Sequence, residues 1–279
     1  MKIGIVGYGF VGSAIDFGFK CEKLLIDPKL GTKIEDLIVY QPDAVFISVP
    51  TPMNNGGSVN ASIVIETTRF CLDNLSGYVI IKSTVTPDII KSLSELSGRV
   101  IYNPEFLTEV NHEQDFIHPN FHLFGTKNED AFDFIDQLYF DHSICSNSVP
   151  VYSVTPEEAS FIKYGLNCFL ASKVLWMNQF YDVISKTKSS YDNIRSVMEA
   201  DPRIGRSHMQ VPGPDEKKGF GGACFKKDGN AFSEYSKGSF TVLSEVIKAN
   251  DKIRSQYELD PREREQNVTY QLDLFHHSV

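Results

Sequence analysis

Cysteine is scarce in this chain of 279 residues, and the five present, Cys21, Cys71, Cys145, Cys168 and Cys224, are an odd number without regular spacing. That pattern speaks against a disulfide framework and against a zinc site, so no metal is expected. No apolar run approaches the roughly 18 residues of a membrane helix, so no membrane span is expected. Met1 and Lys2 lead straight into a strand-like run, with no long apolar segment of the kind a signal peptide carries. Positive charge is not in excess either: 27 Lys and Arg face 36 Asp and Glu, a net charge of -9, which argues against a nucleic-acid-binding surface overall. Internal repeats and low-complexity tracts are lacking. What is left is ordinary globular composition, 42% hydrophobic and 23% charged, in a length that suits one large or two modest domains. A reducing cytoplasm is the expected location.

The N-terminus carries the first specific pattern. Residues 2–6 form a short apolar run that enters G-x-G-x-x-G at Gly7, Gly9 and Gly12, with Phe10 and Val11 opening the helix that follows. The first glycine permits a tight turn, the second lets a pyrophosphate approach the backbone, and the third lets helix and strand pack closely. A second apolar run ends in Asp27, whose carboxylate suits the adenosine ribose hydroxyls and repels a 2′-phosphate. NAD is therefore expected in preference to NADP.

Further apolar runs at 44–48, 78–82, 99–102 and 121–124 alternate with helical stretches at 61–74, 88–96 and 129–140. The alternation predicts an α/β fold, a Rossmann-like doubly wound parallel sheet, with ligands at the carboxyl ends of its strands. Polar residues cluster there: Thr51, Ser83 and Thr84, and the run Asn103-Pro104-Glu105-Phe106-Leu107-Thr108-Glu109. Thr51 and Ser83 read as strand exits or caps; for Thr84, Glu105 and Glu109 a functional role stands beside that reading.

After a short strand at 151–154 the pattern turns to helix only. Thr155-Pro156-Glu157-Glu158 is a capping box that starts a helix running to about residue 186, on which Lys163 and Asn167 share a face one turn apart. Such a pair is ordinarily solvent-facing. Phe161, Leu166, Leu170, Val174, Trp176 and Phe180 are expected to supply apolar contacts, in numbers that suit a homodimer. The expected domains are 1–150, binding the dinucleotide, and 151–258, an all-helical central domain, followed by a poorly ordered polar tail at 259–279.

Gly219-Phe220-Gly221-Gly222-Ala223-Cys224-Phe225-Lys226-Lys227-Asp228 sets one cysteine behind a glycine run and a carboxylate four residues later. Glycines let a ligand approach the backbone, a helix N-terminus favours a thiolate, and Asp228 falls on the same helix face. A buried cysteine behind a plain glycine turn is the alternative. Basic residues crowd this segment (Arg203, Arg206, Lys217, Lys218, Lys226 and Lys227) against Asp201, Asp215, Glu216 and Asp228. That mixture suits either an anion site or a solvated loop.

These landmarks, in this order from Lys2 to about Arg254, resemble the UDP-glucose/GDP-mannose dehydrogenase family, NAD-dependent enzymes that oxidise the C6 alcohol of a nucleotide sugar to a carboxylate. The resemblance implies a four-electron reaction with two NAD molecules used in turn, UDP-glucose to UDP-glucuronate being the nearest likeness, in polysaccharide biosynthesis. It implies that Lys163 and Asn167 stabilise an oxyanion and that Cys224 forms a thiohemiacetal and then a thioester. Asp228 with Thr84 would activate water for hydrolysis, close to Glu105. Thr84, Glu109 and Lys227 would lie along the cofactor. The substrate would touch Glu105, Phe106, Leu107 and Glu109, with Gly221, and Arg203 would reach it across a dimer interface. Family members continue into a second Rossmann-like domain that closes over the uridine diphosphate, which the chain ending at Val279 is expected to lack. Lys217, Lys218 and Arg206 would then supply part of the phosphate contact. A two-electron β-hydroxyacid-type dehydrogenase and a truncated, non-catalytic NAD-binding module remain as alternatives.

Overall fold

The computed structural model describes residues 1–108 and 111–270. It divides into two compact units. Residues 1–51 and 60–163 make the first, and residues 52–59 and 164 onward make the second.

The first unit opens with β1 (Lys2–Val6), α1 (Phe10–Gly18), β2 (Glu22–Ile26), α2 (Asp36–Tyr40) and β3 (Ala44–Ile47). It continues with α3 (Ser62–Asn74), β4 (Tyr78–Ile81), α4 (Pro87–Ser94), β5 (Val100–Tyr102) and α5 (His112–Ile117). Then come β6 (His122–Gly125), α6 (Glu129–His142), β7 (Val151–Val154) and the start of α7 (Pro156–Ile184). The seven strands lie in one sheet in the order β2-β1-β3-β4-β5-β6-β7.

Five strands, β2 to β5 in that spatial order, run parallel, as the alternation of runs predicts. The all-parallel expectation needs one correction: β6 is antiparallel to β5, and β7 is parallel to β6. A parallel return requires a crossover to the opposite end of the sheet. The segment after β5 has only the short α5 and makes no such crossover, so β6 runs back; α6 then supplies the crossover to β7.

Alternation along the strands explains the two cores. Val6, Val45, Ile47, Val79, Ile81 and Tyr102 face one side, where Val64 and Cys71 of α3 and Ile90 and Leu93 of α4 pack. Ile3, Ile5, Phe46, Ile80 and Ile101 face the other, against Ile15 of α1, Phe116 of α5 and Ile135 and Leu138 of α6. Each fully buried aliphatic side chain contributes about 1.5–3 kcal/mol, which is why the β-runs are nearly continuous apolar stretches.

The second unit holds most of α7, then α8 (Tyr191–Met198), α9 (Phe225–Tyr235), α10 (Thr241–Arg254) and α11 (Pro261–Glu265). The expected capping box starts α7: the Thr155 N–H and hydroxyl donate to Glu158 at 2.8 and 2.9 Å, and the Glu158 N–H returns to the Thr155 hydroxyl at 3.2 Å. The buried stripe of α7 in this unit is Tyr164, Cys168, Ala171 and Leu175, spaced three or four apart. Of the residues expected to supply apolar contacts, Val174 and Phe180 pack against buried clusters and Trp176 lies against Phe180 at 4.9 Å, while Phe161, Leu166 and Trp176 are exposed.

The expected polar tail is also corrected as far as Tyr270. Asp260 and Glu263 cap α11 reciprocally, Glu263 is fully buried and Val268 is buried. Residues 271–279 lie outside the described residues. Among the described residues, no helix is long and apolar enough to cross a membrane.

Candidate active-site elements

In the first unit the glycine loop leaves open backbone in front of a helix N-terminus. Gly7 has φ +91°, and a Cβ there would stand 2.6 Å from the Ser48 carbonyl oxygen. A Cβ on Gly12 would stand 1.9 Å from the Gly7 carbonyl oxygen. Gly9, the N-cap of α1, has nothing within 4 Å of its would-be Cβ, so the backbone is open to a ligand there. The first turn of α1 holds no acidic residue and no side chain caps it, so its N-terminal dipole is available to an anion. Ser48, at the exit of β3, donates its hydroxyl to the Gly7 carbonyl at 2.8 Å and braces the loop.

Asp27 ends β2 and accepts from the Tyr8 N–H and the Lys29 N–H, both at 2.8 Å, one on each carboxylate oxygen. Each oxygen keeps a second lone pair for a ribose hydroxyl. Open backbone, helix dipole and part-buried carboxylate together fit a dinucleotide. Phe10 packs edge-on against His112 at 5.1 Å, and Val11 packs against the α1-side core.

The exits of β4 and β5 converge. Glu105 accepts from its neighbour Phe106 N–H at 2.9 Å and from the buried Lys82 ammonium at 2.8 Å. Lys82 also donates to Asn103 at 2.9 Å and lies over the Phe116 ring. Lys163 is buried, donates to the Glu105 backbone carbonyl at 2.6 Å and lies 5.2 Å from the Phe106 ring centre. Ser160, one turn earlier, holds α7 to the β4 exit by donating to the Val85 carbonyl at 2.7 Å. Thr84 is half-buried in that same exit loop. Ser83 donates to the Val49 carbonyl at 2.7 Å, the strand-exit role expected of it, and Thr51 is buried. Leu107 packs against the α1-side core. Glu109 lies outside the described residues.

In the second unit, Cys224 is exposed and is the N-cap of α9, which excludes the buried-cysteine reading. The Asp228 N–H donates to the Cys224 carbonyl at 2.8 Å, closing the first turn. Asp228 is buried; its carboxylate accepts from Asn167 at 2.6 Å and from Lys227 at 2.6 Å. Asn167 and Lys163 are both buried, so the pair is not the ordinary solvent-facing one. Lys226 is buried too, paired with Asp251 at 2.7 Å. Burial pushes the Lys226 ammonium down and the Asp251 carboxyl up in pKa, each opposed by its partner. Both lysines are therefore buried and ion-paired, Lys226 with Asp251 and Lys227 with Asp228, rather than part of a solvated loop.

The thiol loop is tied down from a distance. The Gly219 N–H donates to Asn178 at 3.0 Å, and Asn250 exchanges two hydrogen bonds with the Phe220 backbone at 2.8 and 2.9 Å. The Gly222 N–H donates to Glu263 at 3.1 Å, and Glu263 also accepts from Arg254 at 3.0 Å and from the Tyr270 hydroxyl at 2.6 Å. Burial alone would raise the Glu263 carboxyl, but the Tyr270 and Asp260 hydrogen bonds and the Arg254 charge leave it lowered.

One of the two glycine expectations changes as a result. A Cβ at Gly221 would stand 2.0 Å from the Arg254 guanidinium, so the missing side chain makes room for protein rather than for a ligand. Gly222, at φ +78° with nothing near its would-be Cβ, is open.

The expected phosphate lysines are engaged elsewhere. Lys217 donates to the Glu258 carbonyl at 2.7 Å, and Lys218 pairs with Asp182 at 2.5 Å. Arg203 is exposed and holds Asp201, and Arg206 is exposed.

Reading by motif passed over Ser48, Lys82, Asn178, Asn250, Arg254, Glu263 and Tyr270. For α10 a signal existed. Leu243, Ile247, Asn250 and Arg254 recur at helical spacing and all are buried, an apolar stripe that turns polar halfway along.

The chain matches the UDP-glucose/GDP-mannose dehydrogenase family, NAD binding domain, over residues 29–142, and the central domain of the same family over residues 157–252. The glycine loop precedes the first match and stands on its own geometry. A UDP-glucose 6-dehydrogenase of Rickettsia bellii is 33% identical over 223 residues, 75% of this chain and 49% of the relative. The UDP-glucose 6-dehydrogenase TuaD of Bacillus subtilis is 28% identical over 249 residues, 84% of this chain and 52% of the relative. The chain thus spans about half the length of the curated relatives it matches. A solved UDP-glucose dehydrogenase from the hyperthermophilic archaeon Pyrobaculum islandicum shares the fold with a TM-score of 0.77 at 24% identity, covering 90% of this chain and 68% of that one. A 3-hydroxyisobutyrate dehydrogenase of Mycobacterium tuberculosis also shares it, with a TM-score of 0.66 at 14% identity, covering 93% of this chain and 96% of that one. The NAD binding domain makes NAD the cofactor. With both family domains matched in order along most of its length, the chain belongs to the UDP-glucose/GDP-mannose dehydrogenase family.

Proposed function

We propose that the chain carries out the four-electron oxidation of a nucleotide-sugar C6 alcohol to a carboxylate, with UDP-glucose as substrate. The observation that carries this reading is the exposed Cys224 at the N-terminus of α9, one turn before a buried Asp228 held by Asn167 and Lys227. A single hydride transfer needs no thiol, whereas oxidation beyond the aldehyde needs a nucleophile that turns the carbonyl into a tetrahedral adduct.

NAD, which the loop from Gly7 to Gly12 and Asp27 would hold, would supply the hydride acceptor for both oxidation stages. Lys163 supplies positive charge to the oxygen as the C6 alcohol becomes a carbonyl, the hydroxyl proton leaving to solvent. The Cys224 thiolate, favoured at a helix N-terminus, adds to the aldehyde carbon. Lys163 and Asn167 hold the resulting oxyanion, and hydride loss from this adduct leaves a thioester on Cys224. Asp228 takes a proton from water as the water oxygen bonds to the thioester carbon. Collapse breaks the carbon–sulfur bond, releases the carboxylate and restores the thiolate. The backbone of Glu105, Phe106 and Leu107 contacts substrate, and Arg203 serves the neighbouring subunit of a homodimer. Exposed Phe169, Trp176 and Val183 on α7 support that dimer. A reduced thiol nucleophile suits a reducing cytoplasm.

The fold is shared with a two-electron dehydrogenase, so stoichiometry decides. Wild type supplied with UDP-glucose and excess NAD is expected to yield two NADH per sugar. One NADH per sugar would support the β-hydroxyacid-type reading, and no turnover on UDP-glucose, UDP-N-acetylglucosamine, UDP-N-acetylmannosamine or GDP-mannose the binding-module reading.

A further inference from the structure

The segment that follows the last family-matched helix carries a buried acid for which the oxidation scheme has no use. Glu263 is fully buried at 0% exposure, yet its carboxylate reaches back 41 residues to the backbone N–H of Gly222, two residues before the thiol. Gly222 sits in the left-handed region at φ +78°. One hydrogen bond from this N–H therefore fixes the turn that delivers Ala223 and Cys224 to the start of α9.

The acid is itself held on every side. Arg254 donates to the same oxygen at 3.0 Å and to Asp215 at 2.6 Å, the Tyr270 hydroxyl donates at 2.6 Å, and the Asp260 N–H donates to the other oxygen at 2.9 Å. The segment is anchored at a second point as well. The Met53 N–H donates to the Gln266 carbonyl at 2.9 Å, and Asn230 of α9 donates to the Met53 sulfur at 3.0 Å. A buried acceptor gripped this way has little freedom, and neither has the loop it holds.

We propose that Glu263, oriented by Arg254 and Tyr270, is a positioning residue for Cys224: it clamps the Gly222 N–H and so keeps the thiol at the N-terminus of α9. This rests on Cys224 being the nucleophile of the proposed oxidation. The clamp acts by geometry, since thiolate stabilisation by a helix N-terminus falls off within one turn.

The test is site-resolved alkylation of Cys224 by iodoacetamide against pH, read by mass spectrometry on folded protein. Competing thiols are shifted the other way: burial raises the half-buried Cys21 and pushes Cys71 and Cys168 up to about 12 and Cys145 up to about 11, and Asp228 adds to the shift at Cys168. Glu263→Gln is expected to move the alkylation midpoint of Cys224 up by about half a unit. Its kcat should fall about tenfold, with KM for NAD unchanged. Tyr270→Phe, which keeps the ring and removes one donor to Glu263, is expected to move the midpoint the same way by less. A purely structural role would lower Tm in both variants and leave the midpoint at the wild-type value, and that result overturns the proposal. Should Glu263→Gln fail to fold, Tyr270→Phe decides by the same midpoint. If wild type makes no NADH from any nucleotide sugar, the oxidation reading fails, while the alkylation result still judges the clamp.

Discussion

Two glycine loops lead into helix N-termini in this molecule, and they are built in opposite ways. The loop from Gly7 to Gly12 is shaped by its own backbone and by the ends of β2 and β3. The loop from Gly219 to Cys224 is shaped by side chains far along the chain, Asn178 on α7, Asn250 and Arg254 on α10 and Glu263 on α11. In the first, missing side chains leave room for backbone and for a ligand. In the second, one missing side chain leaves room for a buried guanidinium. A glycine motif therefore marks a close approach without saying what approaches.

The sharpest way to break this comparison is to add one methyl group to each loop. Gly12→Ala sets a Cβ against the Gly7 carbonyl, which cannot move without opening the turn, and should cost about 3 kcal/mol or more in urea unfolding. Next in size is Lys82→Met, which strips the buried ammonium from Glu105 at the β4 and β5 exits. It should cost about 2 kcal/mol, less than a fully buried pair because Glu105 is part-exposed, and show as a lowered Tm. Gly221→Ala meets the end of a side chain rather than backbone and should cost about 1–2 kcal/mol. A Gly221 variant less stable than the Gly12 variant would invert the contrast drawn here.

The same contrast explains what was legible in the chain. The β-α alternation and the nucleotide loop follow from local patterns: period-two burial, glycines at fixed offsets and an acid at the end of the next strand. The turn of direction at β6 was not legible, because it depends on a connection that fails to cross the sheet rather than on any residue of β6. Within the thiol loop, Cys224 and Asp228 stood out by spacing, while their supports did not, being distant in sequence. Glu263 is the instructive miss. Asp260-Pro261-Arg262-Glu263 has the same capping pattern as Thr155-Pro156-Glu157-Glu158, yet it sits in a polar stretch without an apolar run behind it. Lys217 and Lys218 misled for the complementary reason: charge in sequence does not tell whether a partner such as Asp182 waits nearby.

The smallest expected effect concerns pH. Because the Glu263 carboxyl is lowered in the folded protein from its ordinary 4.5, its contribution to stability is complete above that pH. It is lost as pH falls through the folded value. The stability gap between wild type and Glu263→Gln, from urea unfolding, should stay constant over about pH 6 to 8 and narrow below about pH 4.5. A gap that widened in acid would contradict the buried, ionised acid described here.

The central claim is that sulfur, and not only nicotinamide, takes part in the oxidation. Replacing Cys224 by serine and counting NADH against UDP-glucose consumed tests it most directly. The account predicts that carboxylate formation in Cys224→Ser falls by about a thousandfold or more while NAD still binds. A serine variant that still made two NADH and one carboxylate per sugar at the wild-type rate would contradict it.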